Sequence, residues 1–569
     1  MLDKAKQWLL RDPDETTRQE LQTLIDTENK NELAQRFEQR LAFGTAGLRG
    51  KVGCGPNRMN RLVIQETSLG LGHYLLAQLE NAKSKGVIIG YDGRLDSKRF
   101  AQDTAAMLAS LGIRVYLTDT VSPTPVVAFG IKTLGTAAGI VVTASHNPPE
   151  YNGFKVYWEN GSQIIPPHDS GIAKQIDIAA TQPLPEFSYD DAVNNQLITL
   201  LSDDYYQQYI DAVMESKLLQ APVKAAPLTL AYTAMHGVGA PFAEAIIARS
   251  GLATLYSEPS QREPDGHFPT VNFPNPEEPG AMDRVIELAT QKQADLACAN
   301  DPDADRFAVA ALLPDGNYRM LSGDQVGLLL ADHLLRTQGQ QALVLNTIVS
   351  SSMLGKIAAG YGAAYQQTLT GFKWLTNVAM QEQTAEKPFV FAYEEALGYA
   401  TGTLVWDKDG LSALLAFTQL AAELKAASLT VWDRLTELYK QHGLYTTAQK
   451  SIALSDDTPD IGQWLRDNPI SAIAGRNIEQ IDDYKLGQTR LADGTVRSID
   501  MPASDVLVYW LAGGARVIVR PSGTEPKIKC YYELSVAMEN EDYWAAQTHA
   551  DEMMAMLISE HQHELEQIS

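Results

Sequence analysis

The feature that most restricts this chain is a repeated switch between short apolar runs and helical segments. Val87-Ile88-Ile89 is strand-like, Ser97 to Leu111 reads as a helix stopped by Gly112, and Val115-Tyr116-Leu117 is a second strand. Thr124 to Leu134 is again helical, and Gly139-Ile140-Val141-Val142 is a further strand. Alternation of this kind predicts a mostly parallel sheet with helices on its faces. The pattern restarts at Leu228 to Tyr232, with a helix near Ala240 to Arg249 and strands at Ala294 to Ala299 and Phe307 to Leu312. It restarts once more at Leu343-Val344-Leu345, with a strand at Phe389-Val390-Phe391 and a helix from Leu411 to Leu424. Beyond about residue 440 the texture changes to short strands, Val506 to Tyr509 and Arg516 to Val519, and a long amphipathic helix near Asp542 to His561. The expected fold is α/β: three similar mixed α/β domains, 1–204, 205–321 and 322–440, followed by a C-terminal α+β domain, 441–569. Residues 13–40 are polar and helical in pattern and are expected to form a surface-lying leader.

Composition narrows the class. A chain of 569 residues exceeds what one hydrophobic core serves, so about three to five domains are expected. With 45% hydrophobic and 20% charged residues, extensive disorder is disfavoured. No run approaches the ~20 apolar residues of a membrane span, and the N-terminus lacks a signal-peptide pattern. A cytoplasmic location is the expectation. The three cysteines, Cys54, Cys298 and Cys530, form neither a disulfide framework nor a C-x-x-C metal site. The net charge of −24 argues against nucleic acid or an anionic membrane as partner. An anionic small molecule would need arginines and lysines gathered locally.

Five stretches carry groups suited to chemistry. Thr143-Ala144-Ser145-His146-Asn147-Pro148 follows the strand ending at Val142. Reactive groups in α/β folds sit just past the carboxyl ends of strands, though Ser and Asn are also ordinary turn residues. Asp301-Pro302-Asp303-Ala304-Asp305-Arg306 lies between two apolar runs. Three alternating carboxylates repel unless cations neutralise them, and oxygen-only donors on a tight turn suit a hard ion such as Mg²⁺. An EF-hand is excluded, because no glycine or glutamate falls at the required loop positions. Arg520-Pro521-Ser522-Gly523-Thr524-Glu525-Pro526-Lys527 collects donors that phosphate accepts, or forms a simple turn. Tyr393-Glu394-Glu395-Ala396 places adjacent carboxylates at a strand end, able to bind vicinal hydroxyls or merely solvated. Thr370-Gly371-Phe372-Lys373 and Asn152-Gly153-Phe154-Lys155 each present one lysine on a glycine turn.

Taken together, "TASHNPPEYNGFKVYW", "DPDADR", "YEEALGY" and "RPSGTEPKIK", roughly one per block, resemble the α-D-phosphohexomutase superfamily. The similarity is to its longer phosphoglucomutase branch, which also holds phosphopentomutases. "FGTAGLRG", "MHGVG", "FPNPEE" and "TGFKW" extend the resemblance over nearly all of the chain from about residue 40. It implies a heart-shaped enzyme of four domains with a central active-site cleft. Ser145 would carry a phosphoryl group, and Asp301, Asp303 and Asp305 would hold Mg²⁺ together with a phosphoserine oxygen. His146 and Lys155 would flank the nucleophile, Arg49 and Arg306 would neutralise phosphate, and Lys373 would face the substrate. Glu394, helped by Glu395, would bind sugar hydroxyls. Arg520, Ser522, Gly523 and Thr524, with Lys527 nearby, would clamp the phosphate that is not reacting.

The implied activity is that of a phosphoglucomutase: glucose 1-phosphate and glucose 6-phosphate interconvert through a phosphoserine enzyme and a bound 1,6-bisphosphate, which also serves as activator. Mannose or pentose phosphates, or glucose-1,6-bisphosphate synthesis, are the alternatives on the same scaffold. Small sugar phosphates would be the partners, and the protein would be a monomer or dimer. One position departs from the family pattern. Many hexomutases carry a serine two residues after the first sugar-binding glutamate, where this chain has Ala396.

Overall fold

Val87–Tyr91 and Ala138–Val142 are buried along their whole length, as parallel strands covered by helices on both faces must be. The computed structural model describes residues 1–216, 224–339, 341–453, 460–521, 527–538 and 542–567. They divide into two units, one of Met1–Leu321 with Leu397–Ala426 and one of Ser322–Ala396 with Ala427–Ser569.

The first unit contains two sheets. In one, the strands run in the order Leu48–Lys51, Tyr151–Trp158, Ala138–Val142, Val87–Tyr91, Val115–Thr118 and Ile198–Leu201. The last four are mutually parallel, and Tyr151–Trp158 pairs antiparallel with both of its neighbours. The antiparallel pairing sets Lys155 opposite Val141, one residue before the strand ends. The other sheet runs Tyr318–Met320, Phe307–Leu312, Leu296–Asn300, Leu228–Thr233, Ala253–Ser257. Its hairpin pairs Asn300 with Phe307, so residues 301–306 form the connecting loop. The helix Gly410–Ala426, expected between Leu411 and Leu424, packs on the helix Ala240–Ser250 and the strand Phe307–Leu312 of this unit.

The second unit carries a parallel layer, Ala364–Thr368, Leu343–Thr347 and Phe389–Glu394, with the helices Gly323–Gln338, Met353–Gly360 and Phe372–Glu382. Beside it in sequence stands an antiparallel sheet ordered Leu444–Ala453, Lys527–Val536, Ala515–Pro521, Leu507–Leu511, Arg476–Asp483, Gln488–Leu491, Val496–Ser498. The helix Tyr543–Glu566 covers its first two strands. Three α/β domains and a C-terminal α+β domain are therefore present.

Residues 13–40 are helical as expected, in Glu15–Asp26 and Lys30–Phe37, and a further helix, Leu2–Arg11, precedes them in the leader. It does more than lie on the surface. Its helices are amphipathic, and Trp8, Leu21, Leu33 and Phe37 enter the core of the first sheet. The fully buried Glu66 fixes it electrostatically: Arg11 Nη2 donates to Oε1 at 2.7 Å, and Arg40 Nη2 donates to Oε2. Removing one partner from a buried ionic cluster costs about 3 kcal/mol. Glu66→Ala is accordingly expected to speed amide exchange of Leu2–Phe37 by about a hundredfold. Unchanged protection of that segment would refute the anchoring role.

Candidate active site

The seryl loop begins where the strand Ala138–Val142 ends. Thr143 Oγ1 accepts a hydrogen bond from the Ser145 amide at 2.8 Å, and the Asn147 amide donates to the Ala144 carbonyl at 3.0 Å. These bonds close a tight turn with Ser145 at φ +50°. A left-handed conformation costs a non-glycine residue of order 1–3 kcal/mol and persists only where its surroundings enforce it. The turn aims the Ser145 hydroxyl, which donates to Asp301 Oδ2 at 2.7 Å; His146 Nδ1 lies 3.2 Å from Ser145 Oγ.

The 301–306 loop folds over its own first carboxylate. The Arg306 amide donates to Asp301 Oδ1 at 2.9 Å, the Ala304 amide to the Asp301 carbonyl at 2.8 Å, and Ala304 takes φ +56°. Asp301, Asp303 and Asp305 are all buried, and one carboxylate oxygen from each lies within 4.8 Å of the others. Three such charges cannot stand together unneutralised. Lys155 Nζ answers two of them, at 2.6 Å from Asp303 Oδ2 and 2.8 Å from Asp305 Oδ2. Thr124 Oγ1 donates to Asp303 Oδ2 at 2.6 Å, and Lys408 Nζ stands 3.3 Å from Asp305 Oδ2.

The electrostatic consequences differ along the triad. Burial, then the neighbouring carboxylates of Asp303 and Asp305, drive the Asp301 carboxyl well above its ordinary range. Burial acts the same way on Asp303, but Lys155 and the hydrogen bonds outweigh it and hold the group low. Burial would also discharge Lys155, yet Asp303, Asp305 and Asp407 more than compensate, and its ammonium is held charged. His146 goes the other way, kept neutral by burial and by the guanidinium groups of Arg306 and Arg49.

The donor set fits a hard divalent cation. Asp303 Oδ1 and Asp305 Oδ1 are buried and accept no hydrogen bond, and oxygen-only carboxylate clusters suit Mg²⁺. Arg306 Nη1 lies 3.8 Å from Glu277 Oε2, and Arg49 Nη1 donates to Asn147 Oδ1 at 3.1 Å. Ser145, His146, Lys155, the three aspartates, Arg49 and Arg306 thus gather in the first unit.

The second unit holds the remaining expected residues. Glu394 ends the strand Phe389–Glu394, and the Gly371 amide, at the N-terminus of the helix Phe372–Glu382, donates to its Oε1 at 2.9 Å. Lys373 lies in the first turn of that helix, its Nζ 5.8 Å from the Trp374 ring centre. Glu395 turns toward its own scaffold, accepting from Ser350 Oγ at 2.9 Å and Thr347 Oγ1 at 3.3 Å. Arg520, near the end of the strand Ala515–Pro521, interacts with the Tyr531 hydroxyl, a group that also feels Glu395 and Glu394. Ser522, Gly523 and Thr524 lie outside the described residues, and Lys527 opens the strand Lys527–Val536.

Sequence reasoning passed over five contributors. Lys408, in Trp406-Asp407-Lys408-Asp409, is an isolated cation among acids. Thr124 opens the helix Thr124–Thr133. Arg94 follows the strand Val87–Tyr91 in Asp92-Gly93-Arg94, a strand-end glycine turn that was a usable signal. Arg516 and Glu533 carried no signal, since each reads as an ordinary charge in a strand. Arg516 donates to the Ile348 and Ser350 carbonyls at 2.9 and 2.7 Å, while Ser352 donates to Glu533 from its amide and hydroxyl at 2.8 and 2.7 Å. These bonds fix the loop that carries Ser350 beneath Glu395.

An acidic triad beside an aimed serine, on a chain of three α/β domains and one α+β domain, is the arrangement expected of a phosphosugar mutase. Comparison with known proteins agrees. Residues 40–182, 207–312 and 322–442 match the phosphoglucomutase/phosphomannomutase α/β/α domains I, II and III, and residues 496–547 match the C-terminal domain. The chain is 36% identical to a human phosphopentomutase, over 95% of this chain and 92% of that one. It is 40% identical to a Haemophilus influenzae protein described as "Probable phosphomannomutase", over 84% and 93%. Against a Staphylococcus aureus phosphoglucomutase the identity is 32%, over 89% and 92%. The chain belongs to the phosphoglucomutase/phosphomannomutase family of the α-D-phosphohexomutase superfamily; it is a mutase, and so an isomerase.

Burial, Glu394 and Asp324 push the Glu395 carboxyl from an ordinary 4.5 up to about 8. A raised carboxyl binds its proton more tightly in the folded state, so its stabilising contribution is full below 4.5 and is lost as pH rises through about 8. The stability difference between wild type and Glu395→Gln should therefore shrink or reverse between about pH 5 and about pH 8. Urea midpoints of the pair, taken at both ends, measure it. A pH-independent difference would remove the protonated-carboxyl assignment.

Proposed function

We propose that the chain interconverts the 1-phosphate and the terminal-carbon phosphate of an aldose through phosphoseryl-145. The observation that carries this reading is the Ser145 hydroxyl, held 2.7 Å from Asp301 at the edge of the three-carboxylate cluster. In it, phosphoseryl-145 transfers its phosphoryl to the free hydroxyl of a sugar monophosphate. The resulting bisphosphate turns over and returns its other phosphoryl to Ser145. Such transfer has a loose transition state, which needs alignment and charge stabilisation more than covalent assistance.

Each residue then has a part. Asp301, Asp303 and Asp305 would hold Mg²⁺ with a phosphoseryl oxygen; the bound ion supplies charge neutralisation at the transferring group. Lys155 keeps Asp303 and Asp305 ionised and in place. Its double ion pair makes it an electrostatic group and a poor base. Arg49 and Arg306 add positive charge next to His146. Glu394 accepts hydrogen bonds from sugar hydroxyls, with Glu395 supporting it from behind as a neutral carboxyl. Lys373 faces the substrate, and Arg520 with Ser522, Gly523, Thr524 and Lys527 binds the non-reacting phosphate.

For the sugar, the sequence reading favours glucose. Two observations favour a pentose instead: the similarity to a phosphopentomutase along 95% of the chain, and Ala396, which withdraws one hydroxyl from the sugar-binding turn. We place ribose 1-phosphate first and glucose 1-phosphate second.

Ser145→Ala should keep the fold by circular dichroism and lose turnover by at least about a thousandfold. Near wild-type isomer formation by that variant would sink the reading, and release of inorganic phosphate in place of isomer would convert it to a hydrolase. Specificity constants for ribose, glucose and mannose 1-phosphates rank the sugars, with ribose expected ahead of glucose by about tenfold or more. A ratio below one returns glucose to first place.

A further inference from the structure

Arg94 is not among the residues assigned above, yet its guanidinium is the most heavily used donor next to the seryl loop. It is 4% exposed. Nη2 donates to the carbonyls of Ser145 and Asn147 at 2.7 and 2.5 Å, and Nη1 to those of Pro148 and Tyr151 at 2.8 and 2.9 Å. Four carbonyl oxygens from one seven-residue stretch therefore converge on a single planar cation. Asp92 Oδ2 lies 3.3 Å from Nε and balances the charge, and the Phe268 ring centre lies 5.1 Å from the guanidinium carbon. Asp92 is itself fixed, accepting from Ser97 Oγ at 2.6 Å and from the Arg94 amide at 3.1 Å; Asn152 Nδ2 in turn donates to Ser97 Oγ at 3.0 Å.

We propose that Arg94 is a positioning residue for phosphoryl transfer: by gripping the outward carbonyls of residues 145, 147, 148 and 151 it holds the seryl turn in its left-handed conformation, with the Ser145 hydroxyl aimed at Asp301. Three points of physical chemistry carry it. Carbonyl dipoles crowded on one side of a turn repel one another, and a buried cation removes that repulsion. A non-glycine residue at φ +50° relaxes unless its neighbours over-determine it, and the Ser145 carbonyl is the atom that fixes the following peptide plane. Arginine alone offers donors in a rigid planar fork able to serve four acceptors; a lysine ammonium has three donors and a different geometry. The hydrogen-bond path Asp92–Ser97–Asn152 ties the same grip to the start of the strand Tyr151–Trp158, which carries Lys155. Seryl turn and neutralising lysine are thereby held by one network.

The proposal rests on the role given to Ser145, and its test separates the two. Arg94→Met and Arg94→Lys are compared with wild type in three measurements. These are amide exchange over residues 143–153 without substrate, kcat and KM for the best sugar 1-phosphate, and activity with added millimolar guanidinium. In Arg94→Met, exchange over 143–153 should rise while the strand Val87–Tyr91 stays protected. A misplacement of about 1 Å costs on the order of a hundredfold in rate, so kcat should fall by about that factor with KM little changed. Guanidinium should restore part of it, which a merely destabilised enzyme would not show. Arg94→Lys should fall between the two, and if Arg94→Met does not fold, the lysine variant decides by the same exchange and kcat readings. Wild-type kcat, or lost kcat with unchanged exchange over 143–153, overturns the proposal. Absence of isomer formation by the wild type would sink the mutase reading, whereas wild-type exchange over 143–153 in Arg94→Met sinks this one alone.

Discussion

The double ion pair from Lys155 to Asp303 and Asp305 is the contact on which the rest of this site depends. Three carboxylates from one six-residue loop are buried beside the Ser145 hydroxyl, an arrangement that electrostatics forbids unless cations are built in. Lys155 enters because its strand runs antiparallel to Ala138–Val142 and pairs it with Val141, next to the point where the seryl loop starts. The Lys155 pairing leaves one oxygen each of Asp303 and Asp305 without a partner. The cluster is thus neutralised enough to fold and incomplete enough to take a cation.

Because Lys155 is committed to two carboxylates, proton transfer has to be placed elsewhere or dispensed with. Asp301 accepts the Ser145 hydroxyl proton directly in the hydrogen bond, and burial makes that carboxyl more willing to hold a proton than an ordinary aspartate. His146 is neutral and 3.2 Å away. A loose phosphoryl-transfer transition state develops little charge on the attacking oxygen and asks little of a base. The arrangement suits that demand: alignment comes from the strained turn, and electrostatics from lysine and arginine. The local field also departs from the net charge of −24, since Lys155, Lys408, Arg49 and Arg306 are concentrated around the triad.

Legibility in the sequence followed the same division. Strand ends were readable because an apolar, β-branched run that stops at a turn has one meaning in an α/β layer. That reading placed TASHNP, DPDADR and YEEALGY correctly at the ends of Ala138–Val142, Leu296–Asn300 and Phe389–Glu394. The cations that make those loops workable were harder to see. Lys408 lies more than a hundred residues beyond Asp305 and reaches it only through the packing of the helix Gly410–Ala426 on the strand Phe307–Leu312. That helix follows the third block in sequence, so chain order gave no hint of the contact. The leader was misjudged for a related reason: polar helices look superficial when read one by one, and the buried partner, Glu66, comes later inside an apolar helix.

The two glutamates of Tyr393-Glu394-Glu395 show most clearly what sequence cannot divide and structure can. As letters they are interchangeable. In the fold, the first accepts a helix-terminal amide, while the second is turned into hydroxyls of the Thr347–Ser350 turn. That turn is held in place by Arg516. Two ionised carboxylates side by side would repel each other and any phosphate brought near them. Keeping the inner one protonated removes that penalty.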